Sequence, residues 1–167
     1  MDANTIRAIQ VPIKQKYSDD PVSAIITLKA SGKIGENLSC KVDTGKAIVE
    51  AGLHPATGGT GLQACSGDML LEALAACAGV TLNTVATAIG VELEDAVITA
   101  EGDLDFRGTL GVSKEAPVGF KEIRLHFSLN TNSTADQINS LLKLTERYCV
   151  VYQTLKNGNQ VKVTHSV

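Results

Sequence analysis

The sequence predicts an α+β domain, and three features carry that prediction. The stretch Ser66 to Gly90 runs without charge from Ala73 to Ile89 and is apolar or small on every side, which is the pattern of a long buried helix. Runs of strict alternation flank it, the clearest from Phe120 to Leu129. After them, Thr134-Ala135-Asp136-Gln137 has the form of a capping box opening a further helix. The resulting order is strands, long helix, strands, helices, strand.

The chain has 167 residues, which suits one domain over 1–167. Its formal charge of −3 and pI near 5.6, with charges of mixed sign, argue against nucleic acid as a partner. Residues 1–20 have mixed polarity and no uninterrupted apolar core, so they read as an N-terminal arm or edge strand and not as a secretory signal. The expectation is a cytoplasmic protein whose four cysteines are thiols and not disulfide staples.

Val22 to Ala30 alternates as a half-buried strand. Ser31-Gly32 and Gly35 mark a turn, and Leu38, Cys40 and Val42 share one face of a second strand. Ala51 to Gly61 is a glycine-rich loop with His54 as a loop residue. Gly59 to Ala64 matches a dinucleotide-binding pattern, but no clear strand enters it and no acidic residue closes a βαβ unit. In the long helix Ser66 is the N-cap, Asp68 suits the positive end of the dipole and Gly90 is the stop. About 22 residues give about 33 Å, enough to cross a bilayer. The Ala, Thr and Gly content, Asn83, and the lack of a basic flank or aromatic belt favour a protein core over a membrane.

Val91 to Phe106 contains a strand with Ala96, Ile98 and Ala100 opposite Val97 and Thr99. Arg107-Gly108 and Gly111 suggest a bend or bulge. In the next strand Ile123, Leu125, Phe127 and Leu129 face inward, with Glu122, Arg124, His126 and Ser128 outward, and short links favour antiparallel pairing. The second helix loses phase near Tyr148. A short helix follows from Cys149 to Lys156, stopped by Asn157-Gly158, and Gln160 to His165 reads as a last strand with Val161 and Val163 inward.

A thiol reacts as its thiolate, which burial disfavours and a cation or helix N-terminus favours. Cys77 is either a small buried hydrophobe or a nucleophile presented by the long helix. Lying mid-helix, it gains little from its own dipole and needs an outside cation to react. Cys149, two residues after Arg147 and at a helix start, has the better local setting. With no C-x-x-C and no close Cys/His pair, a metal site from Cys65, Cys77, Cys149 and His54 is disfavoured, and none is expected.

Cys77 within LLEALAACAGVTL, with Cys149 within LTERYCVVYQTL, resembles the paired cysteines of the OsmC/Ohr superfamily, the osmotically inducible and organic hydroperoxide resistance proteins. GGTGLQACSGDMLLEALAAC and DFRGTLGV…PVGF add to the resemblance, which covers roughly residues 20 to 165. It implies antiparallel sheets wrapped around long central helices in an intertwined homodimer. It also implies a peroxidase in oxidative stress defence, reducing organic hydroperoxides and in some members hydrogen peroxide. Cys77 would be the peroxidatic residue and Cys149 the one that resolves its sulfenic acid. No cofactor would be bound; an external dithiol, lipoyl-type in the Ohr branch, would restore the thiols. The family glutamate ten residues before the reactive cysteine is Gly67 here, with Asp68 beside it. The family's thiolate-pairing arginine has no match, Lys16 being the nearest candidate and Arg107 and Arg147 the substitutes. The proline that follows the resolving cysteine is Val150. Two other readings stay open: a non-catalytic dimer holding a small apolar ligand between subunits, with the small-residue face of Ala75 and Gly79 packing helices closely, and a thiol redox sensor.

Overall fold

The computed structural model describes residues 2–19, 31–34, 40–43, 48–111 and 113–167. The elements in chain order are α1 (Ala3–Asp19), β1 (Ser31–Ile34), β2 (Cys40–Asp43), β3 (Ile48–Gly52), a 3-10 turn (Pro55–Thr57), β4 (Ala64–Cys65), α2 (Ser66–Ile89), β5 (Asp95–Asp103), α3 (Phe106–Thr109), β6 (Glu122–Asn130), α4 (Ala135–Tyr148) and α5 (Val150–Asn157). They form two units, one of Ala3–Glu72 with Ala100–Arg124, the other of Ala73–Thr99 with Leu125–Val167.

The N-terminal arm or edge strand is corrected to a helix, α1, which runs through Pro12. Pro12 removes one backbone donor, yet Ala3, Arg7, Ala8, Gln10 and Gln15 are good helix formers, and Gln15 donates to Asp19 one turn on at 2.9 Å. The Val22–Ala30 strand and Leu38 lie outside the described residues. Ser31-Gly32, read as a turn, is instead paired in β1, where Ser31 faces Asp43 and Ile34 faces Cys40 of antiparallel β2. β3, which the sequence reading did not recognise, pairs antiparallel with β2 and parallel with the two-residue β4, giving the order β1-β2-β3-β4. A strand therefore does enter the glycine-rich loop.

In the second unit, Leu82, Val85 and Ala86 of α2 form a core with Val91 and Leu141. Ala96, Ile98, Phe127 and Leu129 pack against it, as the alternation predicts. β5 and β6 pair, Glu94 donating to the Asn130 carbonyl at one end and Lys121 to that of Asp103 at the other, an antiparallel register. Gly90 stops α2 at φ 72°, and Val91 N–H returns to the Ala86 carbonyl at 2.9 Å, a Schellman closure that tucks Val91 into the core. The threonines of α2 conceal their polarity by bonding to the preceding turn: Thr81, Thr84 and Thr87 donate to the carbonyls of Cys77, Val80 and Asn83 at 2.7, 2.8 and 2.9 Å.

Four expectations change here. First, α2 is not covered all round: Ala73, Ala76, Val80 and Asn83 form an exposed stripe, with Val80 70% exposed. Charge alone did not reveal that side, because the helix is apolar there too. Second, Gly79 of the small-residue face packs on Ile98 of the same chain, a Cβ there lying 3.6 Å from Ile98 Cδ1. Third, the bend at Arg107-Gly108 is a helical turn, capped by the Asp105 carboxylate on the Arg107 N–H at 3.1 Å. Fourth, Gln160–His165 forms no strand, and Val161 and Val163 are exposed. Alternation makes a strand only where a neighbour supplies the ladder.

Candidate functional site

The second unit brings Cys77 and Cys149 together, their thiols within hydrogen-bonding reach of each other. The local sequence explains the corner that holds Cys149. The Thr134 box closes as predicted, with Thr134 N–H on Gln137 Oε1 at 2.9 Å and Gln137 N–H on Thr134 Oγ1 at 3.4 Å. α4 then runs to Tyr148, and Cys149 breaks the helix with φ −73° and ψ 108°. Its N–H closes α4 on the Thr145 carbonyl, and its carbonyl opens α5 by accepting from Gln153, both at 2.9 Å. The Gln153 side chain donates to the Glu146 carbonyl at 2.7 Å and the Tyr152 hydroxyl to the Glu146 carboxylate at 3.1 Å, which pins the corner.

Since the first intrahelical bond of α5 belongs to the Gln153 N–H, the amides of Val150, Val151 and Tyr152 have no partner inside the helix. They serve the two sulfurs. Burial pushes the Cys77 thiol up. The Val151 N–H, the Cys149 thiol, the Val150 N–H and the Thr81 hydroxyl outweigh it, so Cys77 titrates below the ordinary thiol value. Thr81 has one proton, and its 2.7 Å bond goes to the Cys77 carbonyl; it serves the sulfur only by giving that bond up. Cys149, 1% exposed, is pushed up by burial and by the neighbouring Cys77, against the N–H groups of Tyr152 and Val151. Of the pair, half-buried Cys77 is therefore the more acidic thiol and buried Cys149 the less acidic one.

Two expectations are corrected by this geometry. Cys149 sits at a helix start, as predicted, yet burial beside a second sulfur makes it the less acidic thiol. The groups that lower Cys77 among the described residues are the α5 amides, the Cys149 thiol and the Thr81 hydroxyl, and none of them is a cation. Two of the proposed tuning residues, Arg107 and Arg147, are engaged with other groups. Arg107 pairs with Asp105 at 2.6 Å, which holds that carboxyl down to about 2. Arg147 lies over the Tyr148 ring at 5.6 Å. Asp68 is exposed on the first turn of α2 and lines a cavity in the first unit. The Lys16 side chain lies outside the described residues. His126 is exposed, and no cluster of three metal-ligating side chains occurs among the described residues. The amides of Val150 and Val151 were missed. The Tyr148 phase break and the following short helix were the signal that could have found them, since any helix start presents unpaired N–H groups.

An α+β chain that sets a mid-helix thiol and an interhelical thiol against each other beneath a helix N-terminus defines a dithiol protein. Residues 59–164 match the family model described as OsmC-like protein, and the chain belongs to that family. No curated protein matches it. Among solved structures it is similar to an OsmC-like protein from Mycoplasma pneumoniae, with a TM-score of 0.67 and 17% identity over 80% of this chain and 89% of that one. It is also similar to organic hydroperoxide resistance proteins from Legionella pneumophila (TM-score 0.62, 21% identity, 79% and 90% covered) and Elizabethkingia anophelis (0.63, 20%, 81% and 91%). At these identities the likeness establishes the fold.

Proposed function

We propose that this chain is a thiol peroxidase acting on organic hydroperoxides. The observation that carries the reading is the contact of Cys77 with Cys149 under the amides of α5. Cys77 thiolate attacks the outer peroxide oxygen and the O–O bond breaks. Cys77 is oxidised to a sulfenic acid, and the departing alkoxide takes a proton to leave as an alcohol. The Cys149 sulfur then attacks the sulfenic sulfur. An S–S bond forms, and the Cys149 proton leaves with the hydroxyl as water. An external dithiol of lipoyl type reduces the disulfide and is itself oxidised, returning both thiols. Burial suits Cys149 to this second role: it is screened from bulk peroxide yet touches the oxidised sulfur.

The exposed stripe of α2 supports a homodimer as the working form, since proteins of this family are generally dimeric and a row of Ala73, Ala76 and Val80 gains from being covered. The test of activity is peroxide consumption with cumene hydroperoxide and dihydrolipoamide. Turnover is expected in the wild type, absent in Cys77→Ser, and reduced to a single oxidation in Cys149→Ser. Unchanged peroxide with both wild-type thiols still free would refute the peroxidase and favour a binding protein.

A further inference from the structure

The thiol chemistry leaves one cavity unused. It lies in the first unit and has a volume of about 140 Å³. Leu71, Leu104, Phe106 and Phe120 supply apolar walls. Three polar side chains, His54, Cys65 and Asp68, also line it. An apolar cavity of about 150 Å³ is known to take a benzene-sized guest, so this volume admits a single six-membered ring.

The polar groups are set for complementary roles. His54 stacks on Phe106 with ring centroids 4.9 Å apart and 19° between planes. Its Nδ1 accepts from the Ala56 N–H at 3.0 Å, so the neutral ring carries its proton on Nε2 and has a donor to offer. Asp68 has no hydrogen-bond or ion-pair partner among the described residues, and its carboxylate is an acceptor.

Two glycines keep the hollow open. At Gly102 a Cβ would fall 2.6 Å from the Phe120 ring, so only glycine lets that ring lie where it does. Gly67 has no positive φ and therefore no backbone need for glycine. A Cβ there would meet Phe120 at 3.5 Å, Cys65 Sγ at 3.6 Å and Leu104 at 3.7 Å, all ordinary contacts. Alanine would suit the helix better by as much as about 1 kcal/mol. What glycine supplies at this position is the space.

We propose that this cavity is a binding site for a small neutral hydroxyl compound of ring size, phenol being the simplest. The ring would sit against Phe106, Phe120, Leu71 and Leu104. Its hydroxyl would donate to Asp68 and accept from His54 Nε2, a pairing that neither a hydrocarbon nor an anion satisfies. The site is independent of the peroxidase reading, and Cys77→Ser is expected to leave it intact.

Cys65 on the cavity wall is the reporter. In the full-length protein, alkylation by iodoacetamide is followed at each cysteine by mass spectrometry while phenol is titrated. Phenol is expected to slow Cys65 in a saturable way with a Kd on the order of millimolar, as suits a seven-atom ligand, and to leave Cys77 unchanged. Asp68→Asn is expected to weaken it about tenfold through loss of a charged acceptor. Gly67→Val, which fills the space, is expected to abolish the effect; if that variant fails to fold, Gly67→Ala, which the helix tolerates, is expected to weaken it. A Cys65 rate indifferent to phenol, parallel slowing of Cys65 and Cys77, or full protection retained in the folded Gly67 variants would each overturn the proposal.

Discussion

Val150→Pro tests the source of Cys77 acidity without touching either sulfur. Proline at the first position of a helix costs little, and the residue before it must be extended, as Cys149 already is at ψ 108°. Val150 is 69% exposed, so little packing is lost. The change removes one N–H that faces Cys77. A hydrogen bond to a charged group contributes about 1.5–3 kcal/mol; for a half-buried sulfur the lower end applies, about a tenfold loss of acidity. Well below the inflection, the thiolate fraction then falls about tenfold while each thiolate becomes about threefold more nucleophilic, a net loss of about threefold. Well above it, only the nucleophilic gain of about threefold remains. The rate of Cys77 alkylation against pH should therefore inflect below the ordinary thiol range in the wild type, shift upward in the variant, and cross the wild-type curve. Superimposed curves would show that the α5 amides do not set the acidity. A uniform loss at every pH would indicate damage to the corner instead. Proline is also the residue that the family resemblance places at this position.

Leu82 is 1% exposed at the centre of the second unit, and Leu82→Ala is expected to cost about 2–5 kcal/mol, read from urea midpoints at constant m. Val80→Asp should leave the secondary structure intact by circular dichroism but convert a dimer to monomer in sedimentation; an unchanged dimer would place the interface elsewhere. The contribution of Cys77 to the pH dependence of stability has a definite sign. The Cys77 pKa is depressed in the fold, so its contribution is complete above the ordinary value near 9.0 and is lost as pH falls through the folded value. The wild type should therefore gain on Cys77→Ser in urea midpoint as pH rises through that window.

Sequence alone went furthest where one local pattern decides the structure. The Thr134 box, the alternation of Ile123 to Leu129 and the Gly90 stop all depend on neighbours within a few residues, and all three appear in the structure. It did less well where the partner is distant. β3 has only Ile48–Gly52 to announce it and takes its identity from β2 and β4. Residues 1–20 read as an arm or edge strand from their mixed polarity, and the helix-forming residues around Pro12 prevailed. Val161 and Val163 alternate like a strand but have no described ladder to join. The two cysteines were legible only by resemblance, since seventy-odd residues of spacing carry no information about contact. The source of their acidity was illegible for a different reason: backbone N–H groups have no letter in the sequence. The charged side chains that the sequence does spell out, Arg107 and Arg147, are engaged with Asp105 and Tyr148.

The most direct measurement is oxidation of the fully reduced protein by one equivalent of cumene hydroperoxide, followed by peptide mapping without reductant. The account predicts loss of two thiols per chain and a single cross-linked peptide joining Cys77 to Cys149, with Cys40 and Cys65 still free. A disulfide through Cys40 or Cys65, or four intact thiols beside unconsumed peroxide, would contradict it.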